Sequence, residues 1–89
     1  MTRAVRPGPA FHLGQLLHAP AGSLNDLFVR GAIEQLAEEV ELPGPSDRED
    51  IRTPVTQLYA RLVPWTGLVI VYQVEPHQVT LHIRRPATW

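Results

Sequence analysis

Four side chains in the last third of the chain carry reactive or phosphate-binding chemistry at two-residue spacing: Tyr59, Arg61, His82 and Arg84. Tyr59 and Arg61 alternate with Leu58, Ala60 and Leu62, and His82 and Arg84 alternate with Leu81 and Ile83. Each pair therefore falls on one face of a strand. A guanidinium takes phosphate oxygens two at a time, an imidazole exchanges protons near neutral pH, and a phenol ring stacks on an unpaired base. Two guanidiniums beside an imidazole and a phenol make a candidate site for holding and cutting a phosphodiester. The same alternation is what the solvated face of a sheet requires, and from the residues alone both readings stay open.

These side chains need three strands to position them. Leu58 to Leu62 alternates as a first strand. Leu68 to Glu75 is β-branched and apolar on both faces in its first half, as a central strand should be. Val79 to Arg84 alternates as a third. Pro64-Trp65-Thr66-Gly67 and Pro76-His77 read as turns, so the three form an antiparallel meander. One apolar face follows if Leu62 pairs with Leu68, Ala60 with Ile70 and Leu58 with Tyr72, while Val74 pairs with Val79 and Ile70 with Ile83. The opposite face then carries Arg61, Val69 and Arg84 in one row and Tyr59, Val71 and His82 in the next. Arg85 lies at the end of the third strand. Trp65 is either a recognition aromatic exposed at its turn or a lid on the end of the core, and Trp89 is a candidate partner anchor.

The covering element is a helix from Ser23 toward Leu42. Ser23 is a good N-cap, with Asp26 three residues on in a capping-box pattern. Leu24, Leu27, Phe28, Gly31, Ala32, Gln35, Leu36 and Val40 follow helical spacing and form the expected buried face, which Val29 and Ile33 widen. Asp26, Arg30, Glu34 and Glu38 recur every fourth residue as an expected solvated stripe. Pro43-Gly44-Pro45 forbids continuation, and residues 46–50 read as an acidic loop or one helical turn. Residues 11–18 suit a short helix or a strand. Pro7-Gly8-Pro9 makes residues 1–10 a loose tail, leaving 11–89 as one domain.

Composition excludes several functions. The chain has 89 residues and no cysteine, which removes disulfides, thiol nucleophiles and Cys-based zinc sites and fits a reducing, cytoplasmic setting. The four His residues show no metal-ligand spacing, so neither a metal nor a cofactor is expected. No apolar run spans a membrane. Charge is uneven: residues 31–50 carry a balance of −6 and residues 51–89 a balance of +3. All eight basic residues are Arg. A chain this short also leaves room for a homodimer.

At "GLVIVYQVEPHQVTLHIRR", Gly67 to Arg85, and more broadly over residues 23–86, the sequence resembles the RelE/ParE superfamily of small bacterial toxins. Members usually begin with a strand and show an Arg-containing strand, a "YRVIYRVE"-like strand, a turn and a "VTVLRVRHR"-like strand. The resemblance implies an α+β fold, with one or two N-terminal helices packed on a three- to four-stranded antiparallel meander. It implies a cognate antitoxin as partner. RelE-like members are endoribonucleases that cut mRNA on the ribosome, and ParE-like members inhibit gyrase. By position, Arg61 matches the Arg of the first meander strand and Arg84 or Arg85 the basic residue closing the last. His82 lies near a His of some members, and Trp89 stands for a C-terminal aromatic. The resulting expectation is a toxin whose Arg61, Arg84 and His82 are catalytic. The alternative is a non-catalytic module that binds a partner through the sheet face or an edge.

Overall fold

A computed structural model describes residues 3–11, 18–50 and 57–87. Its strands are β1 (Ala4–Pro7), β2 (Arg48–Asp50), β3 (Leu58–Val63), β4 (Leu68–Val74) and β5 (Gln78–Pro86). Helix α1 (Leu24–Glu38) lies between β1 and β2. The sheet order is β1-β5-β4-β3-β2, with β1 parallel to β5 and the other neighbours antiparallel. The class is α+β, but the sheet is five-stranded and mixed rather than three- or four-stranded and antiparallel. Both added strands lie at the edges, where the sequence shows no apolar alternation. Residues 9–11 and 18 are helical, while 12–17 and Trp89 lie outside the described residues.

Strand β1 occupies the segment expected as a tail. Gly8 N–H donates to the Leu81 carbonyl, so the even-numbered residues turn their backbone toward β5. Pro7 then faces the open edge, where a missing N–H costs no ladder bond and denies a foreign strand its donor. Strand β2 replaces the expected acidic loop, pairing Arg48 with Ala60 and Asp50 with Leu58. Its polar residues sit at the opposite edge, where no apolar alternation is needed.

Register differs from expectation by one residue in two places. At the β3–β4 turn, Thr66 donates its hydroxyl to the Val63 carbonyl and accepts from Leu68 N–H. Trp65 and Gly67 take positive φ of 69° and 67°. This turn sets Val63 opposite Leu68 and Arg61 opposite Ile70, which inverts β3 relative to the expected pairing. Between β4 and β5 the pairs Val74–Val79 and Tyr72–Leu81 hold, and an irregularity at Val71/Tyr72 then inserts His82 and sets Ile70 opposite Arg84.

Helix α1 covers one face. Ser23 caps it by accepting from Asp26 N–H. Arg3 donates to the Glu39 and Val40 carbonyls at its far end, supplying the cation that its last turn lacks. Val29, Ala32 and Leu36, with Ile33 partly buried, pack on Val63, Leu68, Ile70, Tyr72, Val79 and Leu81. The opposite sheet face holds a second cluster of Leu58, Ala60, Val69 and Val71, against which Ile83 and Ala87 pack. The helix is rotated from its expected orientation. Asp26 is buried, while Leu24 and Leu27 are 71% and 59% exposed. Asp26 is satisfied by Gly22 N–H and an ion pair to Arg30, which makes its burial tolerable. Leu36→Ala should therefore cost about 2–5 kcal/mol in chemical denaturation, whereas Leu27→Ala should stay within about 0.5 kcal/mol.

Candidate functional site

Arg61 and Arg84 share a cross-strand row with Ile70 between them, but the row lies on the helix-covered face. Two one-residue slips, one on each side of β4, turned both guanidiniums the same way. Two strand spacings, about 10 Å, separate their backbones. Beyond that they diverge. Arg61 reaches the loop after α1, whereas Arg84 lies 3.9 Å over the Phe11 ring and donates through Nε to the Phe11 carbonyl. Burial holds the Arg84 pKa below its ordinary value, an effect that Asp26 opposes.

The Arg61 guanidinium is clamped by two carboxylates. Its Nε and Nη2 donate to Asp47 Oδ1 and Oδ2, each at 2.7 Å, and its Nη1 donates to Glu39. Asp47 also accepts from the Tyr72 hydroxyl and, at 2.8 Å, from Gly44 N–H. Its side chain is 1% exposed, so the Asp47 half of the network sits in low dielectric, while Glu39 keeps part of its side chain in solvent. Gly44 permits it: a Cβ there would stand 2.7 Å from Arg61 Nη2 and 3.0 Å from Glu39 Oε1. In the sequence Gly44 reads only as a helix breaker, and the close approach that requires it is invisible without the fold.

The pKa directions follow from the same contacts. Burial pushes Asp47 up, but bonds from Arg61, Tyr72 and Gly44 outweigh it and hold the carboxyl below its ordinary 3.8. Burial and then the bond to Asp47 push the Tyr72 hydroxyl well above its ordinary 10.0. Burial lowers the Arg61 pKa, yet bonds to Asp47 and Glu39 raise it overall.

The other expected site residues scatter. Tyr59 packs on Tyr72, ring centroids 5.9 Å apart, on the helix side of the sheet. His82 lies on the opposite face, its Nε2 3.0 Å from Gln73 Oε1. Arg85, opposite Val69, shares that face. Trp65 is 88% exposed at its turn. The structure thus joins Arg61 to Asp47, Glu39, Gly44 and Tyr72, and joins it to neither His82 nor Arg84. Among the described residues no three His, Asp or Glu gather where they could hold a metal, and no helix is long and apolar enough to cross a membrane.

Beside the network lies a groove of about 570 Å³, walled by the end of α1, the Gly44–Asp47 loop and β3. Gln35, Glu38, Leu62 and Pro64 line it, and Arg61 and Asp47 reach its surface. No family model matches the chain, and neither a curated protein nor a solved structure matches it.

The network sets a pH window. Asp47, with its depressed folded pKa, contributes stability that is present above its unfolded value near 3.8 and lost as pH falls through the folded one. Tyr72, with its raised folded pKa, contributes stability that is present below its unfolded value near 10.0 and lost as pH rises beyond it. Urea melts from pH 2 to 11 should show both losses, and Tyr72→Phe should remove the alkaline one. Arg61→Ala, which strands the Asp47 charge, should cost about 3–5 kcal/mol at pH 7.

Proposed function

We propose that this chain is a RelE/ParE-like cytoplasmic protein that acts by binding another protein rather than by cutting RNA. The observation that carries this is Trp65. It is 88% exposed and held at φ 69°, a left-handed conformation in which an L-residue other than Gly, Asn or Asp is costly. Nothing in the fold asks for an indole there, and Asn would meet the turn at lower cost. A large exposed aromatic kept at a strained turn is the mark of a contact residue.

Other features support the same reading. A ribonuclease of the expected kind needs Arg61, Arg84 and His82 on one accessible face. Here two of them are taken up under α1 and the third faces the other way. The opening strand β1, the covering helix and the β3–β5 meander are consistent with RelE/ParE-like architecture. The absence of cysteine fits the cytoplasm. A cognate antitoxin is the partner the resemblance suggests, and a ParE-like target such as gyrase would also be reached by binding alone.

Purified chain incubated with mRNA-programmed ribosomes should leave the message intact. Codon-specific cuts that disappear in His82→Ala would instead restore the ribonuclease reading. Trp65→Asn should raise the melting temperature by about 4–8 °C, as relief of about 1 kcal/mol of strain implies. The same substitution should weaken partner binding. A lower melting temperature would mean that the indole serves the fold.

A further inference from the structure

The exposed face of α1 runs unbroken into the groove. Leu24, Leu27, Phe28, Gly31, Gln35 and Glu38 lie along one side of the helix, and the last two line the groove wall. The first three are exposed apolar side chains. At Gly31 an added Cβ would meet nothing within 4 Å, so a second backbone can approach closely there. The far end of this face is acidic. Glu38 is exposed, and Glu39 keeps part of its carboxylate in solvent beside Arg61. Among the described residues that line the groove, Glu38, Glu39 and Asp47 are acidic and Arg61 is basic, and Arg61 pairs with Glu39 and Asp47. The carbonyl end of α1 is capped by Arg3, so the negative charge of this end rests on the carboxylates. Across the groove, Leu62 and Pro64 continue the apolar surface, and Trp65 follows Pro64 in the chain.

From this we infer that α1 and its groove form a docking surface for a basic amphipathic segment of a partner protein. The segment lays apolar side chains on Leu24, Leu27 and Phe28 and places Arg or Lys over Glu38 and Glu39. The ten-residue step from Phe28 to Glu38 rises about 15 Å, so the partner's cation sits about that far beyond its apolar contacts. That span is about ten residues of a helix or four to five of an extended strand. Charge complementarity selects this occupant. An acidic segment would meet like charge, and a purely apolar one would leave the Glu38 end of the groove without a partner. The inference rests on the binding reading and names the partner's chemistry and its seat.

Selection of a displayed library of random 14-residue peptides against the full chain tests it. Enriched peptides should combine apolar residues with Arg or Lys. A synthesised binder should lose about fivefold in affinity to Glu38→Arg and at least about tenfold to Leu27→Asp, while His82→Ala leaves it unchanged. Both substituted positions are exposed, and circular dichroism checks that the variants stay folded. Enrichment of acidic or uncharged peptides, binding indifferent to both substitutions, or no enrichment at all would each overturn the inference. Peptides that bind elsewhere and depend on Trp65 would overturn the seat while sparing the binding reading, which RNA cleavage by the chain would remove.

Discussion

The pairing of Arg61 with Asp47 is the constraint on which the rest of the structure turns. It ties β3 to the loop after α1, and through Glu39 and the Tyr72 hydroxyl it fixes the helix end and β4 to the same point. A one-residue slip of β3 would swing Arg61 to the other face and leave the Asp47 carboxylate buried without its cation, at a cost of several kcal/mol. The same slip would lift Val63 out of the core and put Leu62 under the helix. Ion pair and core packing therefore specify one register. A buried pair of this kind is weak evidence of net stability, but here it selects among pairings that apolar pattern alone leaves close in energy.

That closeness explains what was and was not legible in the residues. The helix start at Ser23, the two turns and the three meander strands were readable, because capping chemistry, Pro/Gly punctuation and alternation are local signals. The buried face of α1 was not. Leu24, Leu27 and Phe28 are as apolar as Val29, Ile33 and Leu36, and the face that is buried carries Asp26, whose charge argues against it in the sequence. Register failed for a similar reason: Leu58, Ala60 and Leu62 offer one apolar set and Tyr59 and Val63 another. Edge strands β1 and β2 were missed because an edge tolerates Pro and charge. Of the site, Arg61 was read as a phosphate-holding residue, whereas its observed partners are carboxylates: Glu39 and Asp47 lie 22 and 14 residues away in sequence and give no local sign of it.

The uneven charge also takes on a location. Of the seven acids in residues 31–50, Glu39 and Asp47 are committed to Arg61, while Glu34, Glu38 and Glu41 remain exposed around the second half of α1. The two guanidiniums read as phosphate-binding are drawn inward, Arg61 to carboxylates and Arg84 onto Phe11, and Arg3 is taken up at the carbonyl end of the helix. Among the described residues the groove is lined by more carboxylates than guanidiniums, and the proposed cationic partner segment rests on that imbalance.

The most direct test of this account is the guanidinium NMR spectrum of Arg61 and Arg84 during titration with a short single-stranded RNA. Held as they are, both should give slowly exchanging Nε–H signals that RNA leaves in place. Saturable shifts of both signals at matching RNA concentrations would contradict the account and return these residues to phosphate binding.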